Sequence, residues 1–149
     1  MIKVYIISAC LAGVNCRYDG GNNFSSEIVK LVKDGKAILV CPEQLGGLTT
    51  PRLPCEIIID EKGNKKVISI EGKDYTKEFL KGAEETLKIA KTVEVKKAIL
   101  KARSPSCGKG YVYDGTFKKK LVSGNGITAD LLEKNGIKVY TEEDKIKNI

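Results

Sequence analysis

Five cysteines, Cys10, Cys16, Cys41, Cys55 and Cys107, are the residues of this chain with the widest chemical reach. The 149 residues contain no histidine. That excludes His-based triads, His general bases and His metal ligands. An odd number of cysteines in a chain that reads as cytoplasmic argues against a disulfide framework and for a metal site or a reactive thiol. The compact Cys-x-x-Cys pair of zinc ribbons and thioredoxin-like sites is absent. Three of the thiols nevertheless share a context. Cys10 follows an expected strand by three residues, Cys41 directly follows a second, and Cys107 lies in the loop after a third. In a parallel sheet all three emerge at one edge and converge on one crevice.

Three thiolates without histidine suit soft metals, with zinc or an iron–sulfur cluster the realistic choices. A closed structural zinc site wants four ligands, and Cys16 or Cys55 would supply the fourth. An iron–sulfur cluster held by three thiolates leaves one iron open, and an open iron acts as a Lewis acid towards a substrate donor atom.

Proton-moving groups stand beside these cysteines. Glu43 is two residues beyond Cys41, and a carboxylate in a partly apolar pocket can serve as general base towards water. Ser104 and Ser106 flank Pro105 beside Cys107. Their hydroxyls can bind substrate or assist a proton, although serine is also ordinary turn chemistry. The three arginines, Arg17, Arg52 and Arg103, all fall in segments rich in Gly, Pro or Cys, whereas the surface is supplied with lysine. That division points to planar, multi-donor recognition of a substrate by Arg17, Arg52 or Arg103.

The elements that must position these residues follow from hydrophobic periodicity. Ile2 to Ile7 reads as a buried strand, followed by a long loop, Ser8 to Asn23. Ser25 or Ser26 caps a helix that stops at Gly35. Ala37 to Val40 is a second strand, ended by Cys41-Pro42. Glu43 to Pro54 reads as loop with, at most, a helical turn. Glu56 to Asp60 and Val67 to Ile70 flank a Gly63-Asn64 turn and form a hairpin. Asp74 caps a helix from Tyr75 to about Thr92. Val95 to Leu100 is a third strand, Arg103 to Gly110 a glycine-rich loop, and Tyr111 to Tyr113 a short extended piece. A helix from Ile127 to Asn135 and a strand from Ile137 to Tyr140 complete the order, before a charged tail. This pattern predicts a single-domain α/β fold over 1–149: a Rossmann-like, three-layer arrangement with a mainly parallel sheet and a small β-hairpin insertion. Gly46, Gly47 and Gly108 are expected to let main chain approach a bound cluster.

Composition sets the outer limits. The net charge is +7, from 26 basic and 19 acidic residues. The lysines are dispersed, and the one basic run, Lys118-Lys119-Lys120, has no aromatic ladder beside it. A solvated surface is therefore the favoured reading over a nucleic-acid footprint. No apolar run approaches the ~20 residues of a membrane span. The start of the chain, Met1 to Ile7, is too short and too strand-like for a signal peptide. A cytoplasmic protein without a membrane partner is expected.

Three segments carry a resemblance over nearly the whole chain. They are Ser8-Ala9-Cys10-Leu11-Ala12-Gly13 with Arg17-Tyr18-Asp19-Gly20; Cys41-Pro42-Glu43 with Gly46-Gly47-Leu48 and Pro51-Arg52-Leu53-Pro54-Cys55-Glu56; and Ala102-Arg103-Ser104-Pro105-Ser106-Cys107-Gly108 with Gly126-Ile127-Thr128-Ala129. Together they resemble the small bacterial and archaeal domain family whose characterised members are TudS-like thiouracil desulfidases. The resemblance implies a 4Fe-4S cluster held by Cys10, Cys41 and Cys107, with one iron not bound by protein. It implies a small thiolated pyrimidine as substrate, whose sulfur leaves as hydrogen sulfide while C=S becomes C=O without external electrons. It assigns the catalytic carboxylate to Glu43 and the catalytic serine to Ser104. Cys16 and Cys55 lie inside matching motifs and are not ligands in the family pattern. Two competing readings stand beside it. One is a non-enzymatic zinc or iron–sulfur binding or sensing module. The other is a desulfidase acting on thiolated tRNA, which the positive charge permits but no RNA-binding module supports. The oligomeric state is left open.

Overall fold

Buried apolar residues on four short strands build the centre of the molecule. The structure, a computed structural model, describes residues 3–149. Ile2, where the first strand was expected to begin, lies outside the described residues. The strands β1 (Tyr5–Ser8), β2 (Ala37–Val40), β5 (Lys97–Leu100) and β8 (Lys138–Thr141) form one parallel sheet in the order β2-β1-β5-β8.

Successive side chains on a strand point to opposite faces, and both faces of this sheet are covered. Ile6, Val40, Ala98, Leu100 and Val139 pack on Ala90 and Leu132. Those two residues belong to α3 (Thr76–Val93) and α4 (Ile127–Lys134). Ile7 and Ile99 face the other way and pack on Ile28 of α1 (Ser26–Lys33). The expected three layers and mainly parallel sheet are present. Ser25 occupies the start of α1, as expected, but its side chain makes no capping hydrogen bond. At α3 the Asp74 carboxylate does accept the Thr76 N–H, at 2.8 Å.

Two hairpins stand outside the sheet. β3 (Cys55–Ile59) and β4 (Lys65–Ser69) form the expected one. The second pairs β6 (Tyr111–Tyr113) with β7 (Leu121–Ser123) and was not foreseen. The lysine run Lys118-Lys119-Lys120 lies in its connection, and the exposed β7 carries no apolar alternation to announce it.

A single helical turn, α2 (Pro42–Leu45), starts at the proline after β2. Proline suits a first helical position because its missing N–H would lack a partner there anyway. This turn lies hard against α3, through Gly46 and Gly82. A Cβ on Gly46 would stand 2.0 Å from the Glu78 carbonyl oxygen, and one on Gly82 would stand 1.9 Å from that of Pro42. Gly46 therefore serves contact between elements, not the approach to a cofactor expected for it.

The chain leaves β1 towards β2 on one side and reaches β5 and β8 on the other. The strand order thus reverses between β1 and β5. In parallel α/β sheets the crevice beyond the carboxyl ends at such a point is where ligands bind.

Candidate active site

That crevice holds a cavity of about 690 Å³, lined by Cys10, Cys41 and Cys107 together with Glu43 and Ser104. Its volume is typical of small-molecule sites. The convergence expected of the three thiols is realised because each follows a different parallel strand at the same end. Cys10 sits in a 3-10 turn (Ala9–Ala12) after β1, Cys41 directly after β2, and Cys107 in the loop after β5. Cys16, Cys55, Arg17, Arg52 and Arg103 also reach the cavity wall.

The thiols are electrostatically unequal. The Cys16 thiol stands beside those of Cys10 and Cys41 and favours their thiolate forms. The Cys10 pKa is lowered chiefly by this neighbour, with help from Asn23. Cys41 is drawn down to about 7 for the same reason, despite burial. Cys16 itself is pushed upward and is the thiol of the trio that keeps its proton. Burial pushes Cys107 up to about 12, against a hydrogen bond from Ser8. Burial likewise raises Cys55 to about 11.

Glu43 and Arg52 form a largely buried ion pair. Arg52 places Nε 3.0 Å and a terminal nitrogen 2.9 Å from the same carboxylate oxygen, Oε2. Burial raises the Glu43 pKa, and the Arg52 charge and hydrogen bond oppose it. The remaining Arg52 donors go to the carbonyls of Thr49 and Cys16 and to the Thr50 hydroxyl. A guanidinium has five N–H donors, and all five are engaged within the protein. Arg52, expected to contact substrate, lines the cavity with its donors committed to protein acceptors.

Ser104 and Ser106 separate cleanly. The Ser104 hydroxyl oxygen accepts the N–H groups of Ser106, at 3.1 Å, and Cys107, at 3.0 Å. Its two lone pairs are thereby occupied, and its own hydrogen is left to donate. Ser106 is turned out of the cavity wall. It is buried, and its Oγ lies 2.8 Å from Thr128 Oγ1 on α4. Ser106, expected to contact substrate, is thus not among the residues that line the cavity.

The other two arginines keep capacity. Arg17 Nη1 donates to Asn23 Oδ1 at 3.2 Å, and Nε lies 3.5 Å from the Asp19 carboxylate. Arg103 pairs with the exposed Glu143 on the far chain segment.

Ser8, Asn23, Tyr18, Tyr113 and Phe117 also line the cavity, and spacing along the sequence does not announce them. Phe117 comes from the β6–β7 connection, whose backbone N–H groups at Gly115 and Phe117 are held by Glu56 Oε1 at 2.9 and 3.0 Å. The sequence signal for that placement was the glycine at position 115, whose φ is +93°.

Among the described residues, no three His, Cys, Asp or Glu side chains are gathered as for one metal ion. The donors that are present suit an iron–sulfur cluster, which spreads its thiolate ligands more widely than one ion does. Three thiols line one cavity, two of them with lowered pKa values. Among the described residues no helix is long and apolar enough to cross a membrane.

A doubly wound α/β sheet that gathers three cysteines, a carboxylate and a serine at its switch point marks a small α/β protein with a thiol-lined ligand crevice. Comparison with known proteins gives the family. The 2-thiouracil desulfurase family model matches residues 5–144, and the chain belongs to that family. It is similar to the solved structure of a [4Fe-4S]-dependent thiouracil desulfidase, TudS, with a TM-score of 0.86 and 39% identity over 95% of this chain and 91% of that one. It is also 43% identical over 144 residues to YbbK of Bacillus subtilis (strain 168), an uncharacterised protein, covering 93% of this chain and 95% of that protein.

Proposed function

We propose that this protein is an iron–sulfur-dependent desulfidase that hydrolyses the C=S group of a thiolated pyrimidine, with Cys10, Cys41 and Cys107 holding a 4Fe-4S cluster. The observation that carries the reading is the convergence of these three thiols with Glu43 and Ser104 on one cavity at the switch point. Family membership and the TudS neighbour support it. The cluster, when bound, supplies an iron free of protein ligands that draws electron density from the C=S bond.

The remaining chemistry belongs to the chain. Arg52 fixes Glu43 Oε2 and leaves Oε1 without a protein partner among the described residues. Oε1 takes a proton from the water that attacks the thiocarbonyl carbon. The Ser104 hydroxyl, with both lone pairs engaged, donates its hydrogen to a pyrimidine acceptor and orients the ring. Arg17 and Arg103 keep donors for polar groups on the substrate. In sum, water and a thiocarbonyl give a carbonyl and hydrogen sulfide. No electrons enter or leave, so the reaction is non-redox.

The test is iron and acid-labile sulfide content after anaerobic reconstitution, followed by a sulfide-release assay on 2-thiouracil and 4-thiouracil. About four irons and four sulfides per chain, with sulfide release from a thiopyrimidine, are expected. Zinc in place of iron, or a full cluster with no release from either base, overturns the proposal.

A further inference from the structure

Cys107 is held at both ends by serine hydroxyls. Ser104 takes its backbone N–H, as described above. At the other end, Ser8 Oγ lies 3.3 Å from Cys107 Sγ. Ser8 closes β1, on the edge of the crevice where β1 and β5 part. Its hydroxyl is buried, and it accepts the backbone N–H of Lys101, just past β5, at 3.0 Å.

This second bond fixes the direction of the first. A serine hydroxyl has one hydrogen and two lone pairs. The Lys101 N–H occupies a lone pair, and the hydroxyl hydrogen is aimed at the sulfur. A ligating Cys107 is a thiolate and has no hydrogen to give back, so the donor can only be Ser8. Three separate pieces of chain meet at this oxygen: the end of β1, the start of the loop after β5, and the cysteine six residues further along that loop.

We infer that Ser8 is a positioning residue for the cofactor, donating a hydrogen bond to the Cys107 thiolate that secures this ligand and raises the reduction potential of the cluster. The inference rests on the proposal that Cys107 is a cluster ligand. Hydrogen bonds to cluster sulfurs set potential, and partners of metal ligands typically change metal affinity by about 10–100-fold when removed. The donated bond stabilises the reduced cluster, which carries the greater negative charge. A hydroxyl serving only to cap Lys101 would do none of this.

The experiment compares anaerobically reconstituted wild type with Ser8→Ala and Ser8→Thr. The readouts are the cluster midpoint potential, by EPR-monitored redox titration, and iron release to a chelator. Expected are a lower potential and an iron release about 10–100-fold more ready in Ser8→Ala, with Ser8→Thr close to wild type because it keeps the hydroxyl. Unchanged potential and iron release in Ser8→Ala overturn the inference while leaving the cluster intact. Equal losses in both variants also overturn it, since packing and not the hydroxyl would then be responsible. Should Ser8→Ala fail to fold by circular dichroism, Ser8→Gly, which admits water to the Lys101 N–H, carries the same comparison. A wild type that takes up no cluster refutes the cluster reading itself, an outcome separate from the first two.

Discussion

Arg52 binds one oxygen of Glu43 twice, at 3.0 and 2.9 Å, and leaves the other oxygen facing the cavity without a protein partner among the described residues. The same guanidinium donates to the Cys16 carbonyl at 2.9 Å, which also accepts the Cys41 thiol at 3.8 Å. One side chain therefore ties the carboxylate to the segment that carries the thiols. A bidentate grip on a single oxygen fixes the carboxylate plane, and lysine cannot reproduce it.

Glu43→Gln keeps its place beside Arg52 but cannot take a proton. Sulfide release from a thiopyrimidine is expected to fall about 10²–10⁴-fold, with iron content unchanged. Iron loss in this variant would mean that Glu43 supports the fold of α2 and not the chemistry.

Removing the arginine has a different signature. Burial raises the Glu43 pKa and Arg52 opposes that rise. A base works only when ionised, so activity increases with pH through the Glu43 titration. In Arg52→Met the opposing charge is lost, and the acidic limb of the kcat/KM profile is expected to move to higher pH. A profile that stays in place and merely falls in height would contradict this role.

The ligand set makes a sharper prediction. Anaerobically reconstituted Cys10→Ser, Cys41→Ser and Cys107→Ser are expected to lose the iron–sulfur absorption, whereas Cys16→Ser and Cys55→Ser retain bound iron. Cys16 keeps its proton beside two lowered thiols, and burial raises Cys55. Iron lost from either of the last two variants would redraw the set.

Gly82→Ala tests how α2 is seated. The added Cβ would stand 1.9 Å from the Pro42 carbonyl oxygen, which is backbone and cannot swing aside. A loss of about 1–3 kcal/mol in urea unfolding is expected. Because α2 carries Glu43 and follows Cys41, reduced iron retention should accompany it. Wild-type stability would show that α2 and α3 can part at no cost.

The Asp74 carboxylate accepts the Thr76 N–H and hydroxyl at the start of α3, one residue before the N-cap Tyr75, and its pKa is lowered by those hydrogen bonds. A group with a depressed folded pKa stabilises above its unfolded value, and that contribution is lost as pH falls through the folded one. Asp74→Ala is expected to cost about 1 kcal/mol at neutral pH. The gap to wild type should close in acid. A gap that is constant with pH would assign the loss to something other than the carboxylate.

Much of this architecture was readable along the chain because its signals are local. Short segments rich in β-branched and apolar residues marked the four sheet strands, and helical periodicity marked α3. A helical turn in 43–54 was allowed for, but its seat against α3 was not readable, and neither were the β6–β7 hairpin and the uncapped start of α1. The first depends on contact with α3 through Gly46 and Gly82, and the second has a fully exposed, lysine-flanked strand. Periodicity cannot report either.

The site divides in the same way. Placing Cys10, Cys41 and Cys107 after successive parallel strands needs only element order, because parallel strands present their carboxyl ends to one side. The sequence alone therefore determined which thiols converge and that Glu43 stands with them. Hydrogen-bond commitments depend on atoms far apart in the chain, and only the tertiary structure decided those. It filled every donor of Arg52, sent Ser106 to Thr128, and left Ser104 its hydrogen. It also brought Ser8 to Cys107 across 99 positions of sequence. Residue type states what a side chain can donate or accept; only its folded neighbours decide which of those capacities remain for a substrate or a cofactor.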